Sequence, residues 1–180
     1  MKTLNLPTIL TILRIVLIAP LMICIFMNNL TAQIITILCF VLASITDFVD
    51  GRLARKNKQV TTLGEFLDPL ADKMLVNLTF LALVVLGRVP VWVFAIILVR
   101  DFIVDGVRML AAKNRITIAA SKYGKLKTMV QMITITLILM NVIIGNEVFG
   151  VINTVLLYIV VALTVFSGCD YLIKSRKLMI

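Results

Sequence analysis

Four aspartates stand out in an otherwise apolar chain: Asp47, Asp50, Asp68 and Asp72, within the stretch ITDFVDGRLARKNKQVTTLGEFLDPLADKML, residues 45–75. Asp47 and Asp50 are three apart and Asp68 and Asp72 four apart, so each pair falls on one face of a helix. The connection between the pairs is short, and two antiparallel helices therefore bring all four carboxylates to the same end. Gathered at a membrane edge they repel one another and resist desolvation, and divalent cations are the simplest compensation. The chain contains no histidine, and its cysteines, Cys24, Cys39 and Cys169, all sit in apolar segments without metal-site spacing. An all-oxygen donor set favours Mg2+ or Mn2+ over zinc. Two ions about 4 Å apart bridge a phosphate and stabilise the attacking and leaving oxygens of a displacement. The competing reading pairs the aspartates with the adjacent basic loop, but acids on facing membrane helices are functional sites by default.

The residues between the pairs fit a phosphate-bearing ligand. Gly51 removes a side chain where a nucleotide or a partner helix approaches the backbone, and Ala54 keeps the same face small one turn later. Arg55 brings a cation toward phosphate, Gly64 offers close approach on the opposite side, and Pro69 is expected to help start the next helix. A second charged cluster lies in VRDFIVDGVRMLAAKNR, where Arg100 and Arg108 need anionic partners inside a span. Asp101 and Asp105 can pair with them, Asp105 being three residues from Arg108, while the guanidinium forks also suit a phosphate.

The elements that must position these groups follow from composition. At 180 residues, 61% hydrophobic and 15% charged, with a mean hydropathy of +1.10, the chain reads as an integral membrane protein. Six segments, roughly 8–27, 31–52, 68–87, 90–110, 127–144 and 148–171, have the length of about 20 residues that a spanning helix needs. The expected architecture is thus an all-α, six-helix transmembrane catalytic domain covering residues 1–180. The first segment lacks the small-residue cleavage pattern of a signal peptide and is read as retained. Lys2, Arg52, Arg55, Lys56, Lys58, Lys113, Arg115, Lys122, Lys125, Lys127, Lys174, Arg176 and Lys177 fall on one side and only Arg88 on the other. By the positive-inside rule both termini and the aspartates face the cytoplasm. The formal charge of +9 is explained by this topology and by anionic membrane lipid, so no nucleic acid is expected. Trp92 and Tyr171 suit aromatic belts at opposite interfaces.

The order Asp47-x2-Asp50-Gly51-x2-Ala54-Arg55-x8-Gly64-x3-Asp68-x3-Asp72 resembles in full the signature of the CDP-alcohol phosphotransferase family. That resemblance implies six membrane helices, a homodimer, and transfer of a phosphatidyl group from CDP-diacylglycerol to an alcohol with release of CMP. It implies that Asp47, Asp50 and Asp68 are principal metal ligands, and that Asp72 is both a ligand and the general base. Asp72 and Asp50 thereby become the expected catalytic residues, although the spacing alone does not rank the four. Gly51, Ala54 and Gly64 would line the CDP site, with Arg55, Asp47 and Thr11 beside them. Further on, Gly124, Lys125, Lys127, Thr128 and Gln131 in SKYGKLKTMVQ, together with RDFIVDGVR, resemble the branch of the family that uses glycerol 3-phosphate and makes phosphatidylglycerol phosphate. A basic pocket of Arg100, Arg108, Lys125 and Lys127 suits a small phosphorylated alcohol better than neutral inositol or zwitterionic serine. The opening NLPTILTILRIVLIAP also looks like the family's, and its Arg14 has two readings: a nucleotide or lipid-phosphate contact, or a side chain snorkelling to the headgroups.

Direct in-line attack is expected rather than a covalent enzyme intermediate, because the chain has no histidine and no isolated activated nucleophile. Two alternatives stand beside this reading. One is the same transfer to another acceptor, inositol phosphate being the closest rival. The other, of a different class, is a small cation transporter, which predicts carboxylates strung along a path through the membrane rather than clustered at one depth.

Overall fold

Polar and glycine punctuation between the apolar runs sets where each helix begins and stops. The computed structural model describes residues 6–57, 62–113 and 122–179, with side-chain surroundings for residues 9–46, 67, 69–111 and 123–176. The elements are α1 (Leu6–Cys24), α2 (Leu30–Asn57), α3 (Thr62–Val85), α4 (Val91–Lys113), α5 (Lys122–Ile144) and α6 (Glu147–Met179). Asn29 caps α2, its Oδ1 accepting from the Ala32 N–H at 2.6 Å. Gly87, with φ of 68°, closes α3: its own N–H reaches the Val84 carbonyl and the Arg88 N–H the Leu83 carbonyl, both at 2.9 Å. This is the Schellman arrangement, which needs the left-handed backbone that glycine adopts without strain. Gly145, with φ of 64°, ends α5 similarly, and Asn146 Oδ1 then accepts from the Val148 N–H at 2.8 Å to open α6.

The helices overrun the apolar windows at their basic ends. Whereas the hydropathy pattern expects spans over 31–52, 127–144 and 148–171, α2 continues to Asn57, α5 begins at Lys122 and α6 runs to Met179. Arg52, Arg55 and Lys56 lie in the last turns of α2, where positive charge complements the helix dipole, so the helix continues beyond the apolar run. Pro69 does not open the third helix as expected. The helix starts at Thr62 and carries Pro69 inside it. The missing N–H removes a single backbone bond near the start of a 24-residue helix, a loss the remaining turns absorb.

Helix α1 packs on α2 and α3, α2 also on α3 and α5, α3 on α4 and α5, and α6 on α4 and α5. The interior is filled by Leu21, Phe40, Leu75, Phe80, Leu83, Ile97, Ile135 and Val160, all fully buried. Buried threonines cause no deficit, because Thr36, Thr79, Thr134 and Thr164 each donate to the carbonyl four residues back. The outer surface is apolar too: Val16, Ile23, Leu30, Val99, Phe102, Val148, Val151 and Ile173 are exposed. A soluble monomer rarely presents so much contiguous apolar surface, and the fold is that of a membrane-associated protein. Two of the described stretches, Tyr123–Ile144 and Glu147–Arg176, are long and apolar enough to cross a bilayer, and Ile9–Cys24 and Leu30–Thr46 are shorter apolar helices. Trp92 is exposed, its ring centroid 6.0 Å from that of Tyr158.

Candidate active site

A cavity of about 170 Å3 opens between α3, α4, α5 and α6. Helical periodicity explains its lining. On α4, Arg100, Asp101, Val104, Asp105 and Arg108 recur every three or four residues and so share a face. On α5, Gly124, Lys127, Thr128 and Gln131 do the same; on α3 the wall is Pro69, Asp72, Lys73, Val76 and Asn77, and α6 contributes Tyr171. The four cations expected to bind an acceptor phosphate, Arg100, Arg108, Lys125 and Lys127, therefore meet in one cavity, with Asp72 in its wall.

Their partners are specific. Asp101 Oδ1 accepts from Lys127 Nζ at 2.6 Å and from Arg100 Nη1 at 2.9 Å, tying α4 to α5 through one carboxylate oxygen. Lys127 is only 2% exposed, so its ammonium is held inside the bundle by this contact. The other Arg100 terminus, Nη2, donates to Ser167 Oγ at 3.1 Å, and its Nε is buried without a hydrogen-bond partner. Gly168 makes room for that reach: a Cβ there would stand 3.1 Å from Arg100 Cγ. Asp105 does not pair with Arg108, as the three-residue spacing expects, but with Lys73 of α3. The lysine approaches from a neighbouring helix, a partner that spacing along α4 could not reveal.

Arg108 instead lies over the ring of Tyr171, its guanidinium carbon 5.7 Å from the centroid. Tyr171 is thus not an aromatic-belt residue: it is 3% exposed and faces the cavity. Its position near the end of an apolar run imitates a belt residue in sequence, and only packing separates the two cases. Arg14, with the neighbouring Thr11, is also fully buried, which removes the snorkelling reading. Lys174 and Asp170 pair at 2.8 Å on the outside of α6.

The aspartates divide between what is described and what is not. Asp47 and Asp50 lie in α2 and Asp68 and Asp72 in α3, two helices in contact. The side chains of Asp47, Asp50, Gly51, Ala54, Arg55, Gly64 and Asp68 lie outside the described residues. Among the described residues no group of three or more metal-ligating side chains converges. Asp72 Oδ1 is buried at the cavity wall.

The model of the family described as CDP-alcohol phosphatidyltransferase matches residues 4–166, which take in the aspartates and the whole cationic cavity apart from Tyr171. The chain belongs to this family. Among curated relatives, a CDP-diacylglycerol–glycerol-3-phosphate 3-phosphatidyltransferase of Rickettsia felis is 35% identical over 178 residues, 96% of each chain. One of Bacillus subtilis is 39% identical over 136 residues, 76% of this chain and 70% of the relative. A probable phosphatidylglycerophosphate synthase of Mycobacterium tuberculosis is 36% identical over 176 residues, 96% of this chain and 82% of the relative. Helix α3 carries both Asp68 and Asp72, and its Asp72, Lys73 and Asn77 line the cationic cavity.

Proposed function

We infer that this chain transfers the phosphatidyl group of CDP-diacylglycerol to sn-glycerol 3-phosphate, giving phosphatidylglycerol phosphate and CMP. The charge balance of the cavity carries the choice of acceptor. Among the described residues five cations line it, Lys73, Arg100, Arg108, Lys125 and Lys127, against three carboxylates, Asp72, Asp101 and Asp105. The excess of two positive charges matches a phosphate monoester, which carries about −2 near neutral pH. An uncharged polyol or a zwitterion leaves that excess uncompensated in a partly buried site. The names of the relatives, which specify glycerol 3-phosphate, agree with this balance.

The donor side fits a divalent cation. Asp47, Asp50, Asp68 and Asp72 supply only carboxylate oxygens, from two helices in contact, and that donor set suits Mg2+ or Mn2+, with two ions expected. Held by these carboxylates, the metal would supply the positive charge that offsets the diphosphate and the departing CMP. The chain's own residues do the rest. Arg100 and Lys127, braced by Asp101, hold the acceptor phosphate, while Arg108 and Lys125 draw it in from the exposed end of the cavity. Asp72, in the wall of the same cavity, takes the proton of the acceptor hydroxyl. As that oxygen bonds to the phosphatidyl phosphorus, the bond from this phosphorus to the CMP oxygen breaks. Gly51, Ala54, Arg55, Gly64, Asp47 and Thr11 form the nucleotide side, and the buried Arg14 adds a cation for the lipid phosphate.

The topology belongs to the same reading. All six helices span the cell membrane, with both termini and the site cytoplasmic. Lysine and arginine asymmetry supports this, as does the gathering of the charged starts of α3 and α5 and the charged end of α4 around one cavity. Anionic lipid surrounds that basic side, and the exposed apolar side chains of α4, among them Phe102 and Met109, accord with a homodimer in the bilayer. The test is CMP release by the purified protein in lipid micelles with Mg2+, offered glycerol 3-phosphate, inositol phosphate or serine. Release is expected with glycerol 3-phosphate, and its absence there refutes the assignment.

A further inference from the structure

The deep part of the cavity holds polar atoms that nothing among the described residues satisfies. Gln131 is 2% exposed and its Nε2 has no hydrogen-bond partner; Asn77 Oδ1 is likewise buried and unpartnered, and both residues line the cavity. Neighbouring groups are already committed, since Thr134 donates to the Val130 carbonyl and Thr79 to the Leu75 carbonyl. The two orphans are complementary in kind. One is a donor on α5, the other an acceptor on α3. A hydroxyl both accepts and donates, so a ligand hydroxyl, like a water molecule, satisfies both.

Their depth matters. With a rise of about 1.5 Å per residue, Asn77 lies roughly 7 Å further along α3 than Asp72, and Gln131 roughly 9 Å further along α5 than Lys125. The amides are therefore set apart from both the expected base and the outer cations. Glycerol 3-phosphate presents three polar positions in a row: a primary hydroxyl that reacts, a phosphate, and a secondary hydroxyl between them that neither reacts nor carries charge.

The geometry points to Gln131 and Asn77 as specificity-determining residues that bind the non-reacting secondary hydroxyl of the acceptor, Nε2 donating to it and Oδ1 accepting from it. The site thereby selects a phosphorylated polyol over a phosphorylated simple alcohol. This rests on the acceptor reading above and adds to it what the cations cannot supply, because a phosphate contact does not distinguish the two. A buried amide left unpaired by the wrong substrate discriminates where shape alone does not.

The experiment compares glycerol 3-phosphate with 3-hydroxypropyl phosphate, which keeps the primary hydroxyl and the phosphate and lacks only the middle hydroxyl. CMP release is measured for the wild-type protein and for Gln131→Leu, Gln131→Met and Asn77→Leu in lipid micelles. The wild type is expected to prefer glycerol 3-phosphate in kcat/KM by about ten- to a hundred-fold. In the Gln131 variants that ratio falls to within about three-fold, through lost use of glycerol 3-phosphate, and Asn77→Leu lowers it in the same direction. Equal use of the two acceptors by the wild type overturns the inference, as does an undiminished preference in whichever of the Gln131 variants turn over. Wild-type protein that releases CMP with neither compound overturns the acceptor reading instead, so the two failures are distinguishable.

Discussion

Replacing Lys127 by methionine keeps an unbranched apolar stem in a buried position and deletes the ammonium. Two losses follow. The acceptor phosphate forfeits a charge-assisted hydrogen bond, worth about 1.5–3 kcal/mol. In addition, Asp101 loses the Nζ that sits 2.6 Å from its Oδ1 and keeps only Arg100 at 2.9 Å. A carboxylate roughly 6 Å from a phosphate charge repels it by roughly 3 kcal/mol at an effective dielectric of about 20, and the remaining guanidinium cancels most of that, leaving about 1 kcal/mol. Together these raise the KM for glycerol 3-phosphate by about a hundred-fold or more. The KM for CDP-diacylglycerol should stay within about two-fold, because the proposed site puts Lys127 on the acceptor side. Adding Asp101→Asn removes the unmasked carboxylate and should return about five- to ten-fold of the loss. The assay is CMP release against glycerol 3-phosphate concentration at saturating CDP-diacylglycerol, for the two single variants and the double. An unchanged KM in Lys127→Met removes the residue from the phosphate site. A double variant no better than Lys127→Met shows instead that Asp101 and Lys127 are not coupled as described.

Further outcomes follow from the other parts of the molecule. Asp50→Asn and Asp68→Asn each remove one carboxylate from the expected metal cluster and should lower turnover by a thousand-fold or so while membrane insertion is retained; turnover near the wild-type rate contradicts their role. A chelator should abolish CMP release, with activity restored by added Mg2+ or Mn2+, and activity that persists after exhaustive chelation excludes a required divalent ion. Gly87→Ala puts a side chain on a residue with φ of 68° and should destabilise the protein by about 1 kcal/mol, read as a lower melting temperature in detergent, with kcat unchanged because the turn closes the opposite end of α3 from Asp72.

Why some of this was legible in sequence and some not comes down to range. Helices α1 to α6 are announced by apolar runs and by the Asn29, Gly87 and Gly145 punctuation, all short-range signals. The convergence of Arg100, Arg108, Lys125 and Lys127 was also readable, because intramembrane cations must gather around something anionic. What spacing missed were partners supplied by other helices. Lys73 takes Asp105, Tyr171 takes the face of Arg108, and Ser167 with Gly168 seats Arg100. Each joins residues from different helices, between which no sequence period runs. Helix boundaries were missed for a different reason: hydropathy marks where a helix leaves the apolar layer, whereas the backbone stays helical beyond it where charge suits the helix end, as the extension of α2 to Asn57 illustrates.

The same distinction bears on how the site tolerates its own charge. Five cations in a partly buried cavity are unstable against mutual repulsion unless something holds them before substrate arrives. Asp101 and Asp105 do this for Arg100, Lys127 and Lys73, the three cations supplied by the middle of the bundle, and leave Arg108 and Lys125 exposed where solvent screens them. The inner cations are therefore pre-organised and the outer ones attract. On the proposed reading, an acceptor phosphate arriving through the exposed end would meet Arg108 and Lys125 first, and deeper in the cations braced by Asp101 and Asp105, where solvent is less. In that reading two aspartates that do not themselves bind the acceptor keep the inner cations in place for it.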